Sequence, residues 1–168
     1  MITESLPARS KEKITQGIEE IYTKYSDMIF KISFSYMKNA ADAEDIVADV
    51  FVKLIKTGTE FKNEEHEKYW LIRTAINLCK NNLKHWRRKC ADIDEYADLQ
   101  TDDPFNINDT LKSVMELPER YKAVIYLYYY EGYATAEIAK ILKKPQSTVR
   151  VHLHEARKIL KGVLENEK

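Results

Sequence analysis

The chain has 168 residues, 44% of them hydrophobic and 32% charged, which excludes disorder as a whole-chain state and leaves room for one large domain or two small ones. Four Gly and four Pro provide too few turn residues for a sandwich or barrel, so the expected fold class is all-α. The 27 basic and 27 acidic side chains cancel, but unevenly: residues 1–90 carry a net +3, residues 91–110 carry −7 with no base, and residues 111–168 carry +4, an asymmetry typical of chains with nucleic-acid partners.

From Ile14, apolar residues recur at Ile18, Ile21, Tyr22, Tyr25, Ile29, Ile32 and Tyr36, the three-and-four spacing of an amphipathic helix. Phe30, Phe34 and Met37 add a second apolar face, so the latter half of this helix is expected to be deeply packed. Asn39 is placed to cap a second helix, with Asp42 in its first turn. There Ile46, Val47, Val50, Phe51, Leu54 and Ile55 form the core stripe, and Asp42, Asp45 and Asp49 line another face. By residue type alone that face reads as solvated, with Asp49 pairing to Lys53.

Thr57 to Thr59 ends this helix, and Glu60 to Glu67 reads as a polar loop. A third helix is expected from Lys68 to Trp86. At about 100° per residue, Tyr69, Arg73, Asn77, Lys80, Lys84, Arg87 and Arg88 share one band, opposite Leu71, Ile72, Ala75, Leu78, Cys79, Leu83 and Trp86. Asn82 falls on the apolar side near the helix end. No acid occurs between Lys68 and Ala91, and a stripe of one sign reads equally as a solvated face or as a phosphate track.

Cys90 to Asn108 lacks a helical period and reads as a linker. The expected organisation is a tail over 1–13, a domain over 14–90, an acidic linker over 91–110 and a second domain over 111–168. In the second domain Leu111, Val114 and Met115 begin the apolar pattern, Pro118 suits the first turn of a helix, and Tyr121, Val124, Ile125 and Tyr128 continue its apolar face. Six of the eleven tyrosines lie between Tyr121 and Tyr133 and read as rings packing with wet hydroxyls.

Thr135 is placed to cap a short helix over Ala136 to Leu142, and Ser147 to cap another running to Val163. Two short helices across the tight turn Lys143 to Gln146 form a helix-turn-helix. Val149, Leu153, Ala156, Leu160 and Val163 make the buried stripe of its last helix, which leaves Ser147, Arg150, Val151, His154, Arg157, Lys158 and Lys161 outward. In a major groove Arg150 suits a guanine edge and Val151 a thymine methyl, with Arg157, Lys158 and Lys161 on phosphates.

The chain resembles the extracytoplasmic-function (ECF) group of sigma factors in the sigma-70 family, over nearly its whole length. Asp42-Ala-Glu-Asp-Ile-Val-Ala-Asp-Val-Phe51 is similar to the family's segment for docking on the β′ clamp helices of RNA polymerase. Trp70-Leu-Ile-Arg-Thr-Ala-Ile-Asn77 is similar to its −10 reader. Leu117-Pro-Glu-Arg-Tyr-Lys-Ala-Val124, Glu137-Ile-Ala139 and Ser147-Thr-Val-Arg150 resemble its −35 reader.

The resemblance implies a non-catalytic subunit that binds core RNA polymerase, through the β′ clamp helices and the β flap, and directs initiation at chosen promoters. It turns the acidic face of Asp42, Glu44, Asp45 and Asp49 into a polymerase surface, overriding the solvated reading. It assigns Tyr69, Arg73, Asn77, Lys80, Lys84, Arg87 and Arg88 to −10 DNA, with a loop over 57–68 holding an unstacked base. It assigns Ser147, Thr148, Arg150, Val151, His154, Arg157 and Lys158 to −35 DNA, and implies control by an anti-sigma factor. Glu155, Val151 and Asn82 depart from residues common in the family, so a −35 preference does not transfer.

Other function classes fit less well. A dimeric helix-turn-helix repressor leaves the acidic face and basic third helix unexplained. No nucleophile with a base, phosphate-cradling Gly loop or metal-ligand spacing supports an enzyme, and no cofactor, metal or small-molecule substrate is expected. Cys79 and Cys90 form no Cys-x-x-Cys pair and fit a reducing cytoplasmic setting. The N-terminal segment has no signal-peptide core, and the longest apolar run, Ala123 to Tyr130, is far below the roughly 20 residues of a membrane span, so neither export nor membrane insertion is expected.

Overall fold

The computed structural model describes residues 8–90 and 109–166, and all regular structure among them is helical: α1 (Ala8–Met37), α2 (Ala40–Thr57), α3 (Glu64–Cys90), α4 (Asp109–Met115), α5 (Glu119–Tyr129), α6 (Thr135–Leu142) and α7 (Gln146–Asn166). The expected tail up to residue 7 and nearly all of the acidic linker lie outside the described residues.

The last turns of α1 are packed on every side, residues 32–36 all being buried, whereas Asp27 and Lys31 one to two turns earlier stay exposed. Its buried serines stay satisfied by bonding back into the helix: Ser33 Oγ donates to the Ile29 carbonyl at 2.7 Å and Ser35 Oγ to the Ile32 carbonyl at 2.6 Å. The helix starts at Ala8, ahead of the expected Ile14. Ile14 and Tyr22, both read as core, are exposed, because this end of α1 projects past its neighbours. One face of Tyr22 still packs on Phe51, with centroids 4.9 Å apart.

Lys38 closes α1 in the left-handed region (φ 63°), and its amide donates to the Phe34 carbonyl at 2.9 Å. Asn39 then caps α2 as its spacing predicts: its backbone is extended, and its Oδ1 accepts from the Asp42 amide at 2.8 Å. Gly58, at φ 58°, ends α2 in the conformation that glycine adopts without a Cβ penalty.

α3 begins at Glu64, inside the stretch read as loop. Asn63 caps it, with Oδ1 accepting from the His66 amide at 2.8 Å, while His66 Nδ1 accepts from the Lys62 amide at 3.3 Å. The apolar period starts only at Tyr69, so the polar first turn escapes periodicity. Asn63 and the acids Glu64, Glu65 and Glu67 were its readable sign. α3 also runs past Trp86 to Cys90. Trp86, read as core, is half exposed there, and Asn82 points to solvent instead of the apolar side.

In the C-terminal half, Pro118 stands at the N-cap of α5, and every residue from Tyr121 to Leu127 is buried. One apolar face was expected, but α5 has neighbours all round: α7, α4 and α6 from its own half and α1 from the other. Two expected caps move, that of α6 by one residue and that of α7 by two. Ala134 precedes α6 and its amide donates to Glu137 Oε2 at 2.9 Å, so Thr135 is the first helical residue. The Val149 amide donates to the Pro145 carbonyl at 3.2 Å, which puts Ser147 within α7.

The two halves share one apolar core. Ile29, Ile32, Leu71, Ile72 and Cys79 belong to the same cluster as Val114, Tyr121, Ile125, Ile138, Val149 and Leu153, and Met115 packs with Phe34 and Ala43. α4 and α5 lie against α1, and α6 lies against α3.

Candidate nucleic-acid interface

On α2 the buried stripe Ala43, Ile46, Val47, Val50, Phe51 and Leu54 leaves Asp42, Glu44, Asp45 and Asp49 in solvent. Asp42 is tied to the helix start, its Oδ2 accepting from Asn39 Nδ2 at 2.7 Å. Among the described residues none of Glu44, Asp45 and Asp49 forms an ion pair, so the expected Asp49–Lys53 pairing is not made. Ile55, read as core, is exposed along with Val52, because both point away from α1 and α3. The face therefore combines unpaired carboxylates with two aliphatic side chains, a mix suited to a protein partner.

The loop before α3 covers 58–63, shorter than the expected 57–68, and Phe61 packs there between His66 and Trp70 at 5.5 and 5.8 Å. The basic stripe on α3 divides along its length. Asn77, Lys84, Arg87 and Arg88 are exposed, whereas Tyr69, Arg73 and Lys80 are half-buried. The C-terminal half causes this. Arg73 Nη1 donates to the Ile141 carbonyl at 3.4 Å, and the Tyr69 ring meets Tyr133 edge-on at 5.8 Å. Burial, with Lys144 as a nearby like charge, lowers the Lys80 pKa. Arg87 pairs with Glu119 of α5.

On α7 the expected division holds for most of the helix, while Leu160 is half-buried and the Val163 side chain lies outside the described residues. Val149, Leu153 and Ala156 are buried, and Ser147, Arg150, Val151, His154, Arg157, Lys158 and Lys161 are exposed, with Thr148 half-buried. Lys143, the αL residue of the turn at φ 51°, lets the Lys144 amide reach the Ala139 carbonyl at 3.0 Å, which holds α6 and α7 in a tight helix-turn-helix. Gln146 Nε2 adds a 3.1 Å bond to Thr135 Oγ1 across the turn.

Two partners of this face were not read from the sequence. Arg157 Nε donates to Tyr129 Oη at 2.9 Å, and its guanidinium lies over the Tyr128 ring at 5.1 Å, so α5 fixes the direction in which its free N–H groups point. Lys158 stands 3.7 Å from Glu155, which offsets part of its charge.

Residues 21–89 match the sigma-70 region 2 family and residues 108–160 the sigma-70 region 4 family, together most of the chain. It belongs to the sigma-70 family. Within this family it is an ECF sigma factor. It is 31% identical over 149 residues to the RNA polymerase sigma factor SigV of Bacillus subtilis, covering 86% of this chain and 89% of SigV. It is 24% identical over 168 residues to the ECF RNA polymerase sigma factor SigW of the same organism, covering 88% of each. The fold is similar to the sigma factor RpoE crystallised with the anti-sigma factor NepR from Bartonella quintana, with TM-score 0.68 and 18% identity over 94% of this chain and 99% of that one. It is similar also to CnrH in complex with the cytosolic domain of CnrY, with TM-score 0.67 and 17% identity over 92% of this chain and 91% of that one. As a sigma factor, the chain is a non-catalytic specificity subunit. No helix among its described residues is long and apolar enough to cross a membrane.

Proposed function

We propose that this sigma factor docks on core RNA polymerase through the exposed α2 face of Glu44, Asp45 and Asp49, reads −10 DNA with α3 and reads −35 DNA with α7. The α7 geometry carries the reading. A helix-turn-helix presents Arg150, Val151 and His154 at the groove-facing start of its second helix, with Arg157 and Lys158 one to two turns later for phosphates. A functional division at 14–90, 91–110 and 111–168 follows, and the cytoplasm is the compartment in which polymerase and promoter are met.

Docking is assigned to the β′ clamp helices for α2 and to the β flap for the C-terminal half. On α3, Asn77 and the half-buried Tyr69 and Arg73 lie toward the unstacked bases, and Lys80, Lys84, Arg87 and Arg88 follow the backbone. Unstacking costs a few kcal/mol per base, which stacking and charge offset once the single strand is captured. The likeness to the sigma factor RpoE in complex with the anti-sigma factor NepR, and to CnrH in complex with the cytosolic domain of CnrY, supports control by an anti-sigma factor.

In vitro transcription with core RNA polymerase over a genomic promoter library tests the assignment. Start sites sharing one −10 and −35 motif pair are expected. Sequence-specific binding to a palindrome without core enzyme would instead identify a self-sufficient repressor.

A further inference from the structure

Most cations along the seam between the two halves have acceptors. Lys122 of α5, 4% exposed, donates from Nζ to the Ser35 carbonyl near the end of α1 at 2.7 Å, Arg73 of α3 donates to the Ile141 carbonyl, and Lys68 Nζ stands 3.1 Å from Glu131 Oε2. One group of bases differs. Lys80 of α3, Arg120 of α5, Lys144 of the turn before α7 and His152 of α7 come together where α3, α5 and the helix-turn-helix meet, and none of their side chains forms an ion pair or hydrogen bond among the described residues.

Tyr121 is the platform of this cluster. Its ring has the Arg120 guanidinium 4.7 Å from its centre and meets the His152 ring edge-on at 5.5 Å. His152 Nδ1 is buried and has no hydrogen-bond partner, a condition that folded proteins seldom keep. Lys80, Lys144 and His152 are half-buried, while Arg120 stays exposed at the rim. Burial, joined by the like charges of Lys144, Arg120 and Lys80, lowers the His152 pKa, and burial with Lys144 lowers that of Lys80. The carboxylate that acts against this on Lys80 is Glu119, which is paired with Arg87. Gathering these bases without a counter-charge is unfavourable unless an anion completes them.

We propose that Lys80, Arg120, Lys144 and His152 form a binding site for a small oligophosphate, a molecule with two or more linked phosphate groups such as a nucleoside di- or triphosphate. Arg120 presents a planar fork of donors, the two lysines supply point charges, and His152 supplies an N–H, so donors from three elements converge on one acceptor-rich ligand. More than one phosphate is called for, because Lys80, Arg120 and Lys144 carry three charges and a single phosphate offsets at most about two. The half-buried seam admits a small ligand and excludes a duplex. Of the four residues, Lys80 alone is shared with the promoter assignments above, and the site does not depend on them.

The test titrates the full chain with inorganic tripolyphosphate at constant ionic strength, followed by calorimetry and by the NMR resonances of the His152 ring. A single saturable event is expected, at least about tenfold tighter than for sulfate, with the His152 resonances displaced. Arg120→Ala with Lys144→Ala is expected to weaken it by about tenfold or more. Lys53→Ala with Lys56→Ala removes the same charge from exposed positions on α2 and is expected to change it less than about twofold. His152→Phe keeps a ring against Tyr121 and removes the nitrogens, for an expected loss of roughly three- to tenfold. Circular dichroism checks that each variant keeps its helices.

Equal affinity for tripolyphosphate and sulfate, or equal losses in the two double variants, would reduce the cluster to diffuse surface charge and overturn the site. His152 resonances unmoved at saturation would place the ligand elsewhere and overturn it as well. A short DNA that binds the free chain more tightly than tripolyphosphate, and loses that binding in Arg120→Ala with Lys144→Ala, would assign the cluster to a nucleic-acid backbone instead. None of these readouts involves core polymerase or a promoter, so failure of the site is distinguishable from failure of the promoter assignments.

Discussion

Arg157 shows how a single side chain acquires a direction. Alone on an exposed helix face it would sample many rotamers; here the Tyr129 hydroxyl and the Tyr128 ring hold it from behind. Tyr129→Phe keeps the ring and removes the acceptor, so −35 binding by the holoenzyme is expected to weaken about two- to fivefold, the worth of one hydrogen bond. Arg157→Ala should lose more and reduce the slope of log affinity against log salt by about 1. If Tyr129 acts through Arg157, Tyr129→Phe adds nothing in the Arg157→Ala background, and additive losses in that cycle would contradict the role. Periodicity placed Arg157 correctly on the outer face, because facing depends only on position in the helix. It could not show the Tyr129 contact, since the partners are 28 residues apart and meet only once α5 and α7 pack. Lys122 escaped for the same reason: its charge argued for solvent, and only the end of α1, 87 residues away, explains its burial.

Element boundaries were legible where the signal was local. Asn39 capped α2 and Gly58 closed it, because each cap is decided by one residue and its immediate neighbours. The start of α3 was missed because its first turn carries no apolar residue, and the caps of α6 and α7 shifted by one and two residues because backbone groups and Glu137 compete with Thr135 and Ser147 for the same amides. The turn between those helices contains a removable strain. Lys143 occupies the left-handed region, where a Cβ is unfavourable. Lys143→Gly is therefore expected to stabilise the helix-turn-helix by about 0.5–1 kcal/mol, seen as a higher melting temperature with −35 recognition unchanged; a lower melting temperature would show that the lysine contributes something the backbone does not reveal. On α2, Asp45→Lys with Asp49→Lys should lower affinity for core polymerase at least tenfold without loss of helix, because both carboxylates are exposed and unpaired. Unchanged affinity would remove this face from the docking surface.

For the whole molecule, the stability of the packing between the two halves is linked to protons. Burial pulls the Lys122 pKa down from 10.5 to about 8, with Lys38 acting in the same direction and Glu119, Glu116 and Cys79 opposing. A base with a lowered pKa in the folded chain binds protons less there than when exposed, so folding stability rises with pH through the window from about 8 to 10.5. The neutral amine still donates to the Ser35 carbonyl while its desolvation cost disappears. Cys79, pushed up to about 12 by burial, and Tyr36, raised further by the same cause, stay neutral across that window, and the lowered Lys80 acts in the same sense as Lys122. The Lys122 contribution to stability against urea is expected to grow between about pH 7.5 and pH 9.5, read as the difference between the unsubstituted chain and Lys122→Met; a difference that moves the other way would contradict the sign. The apolar cluster that runs unbroken from Ile29 and Leu71 to Val124 and Leu153 has a further thermodynamic consequence. Halves that share a core melt together, so a calorimeter should record the isolated subunit as one cooperative transition.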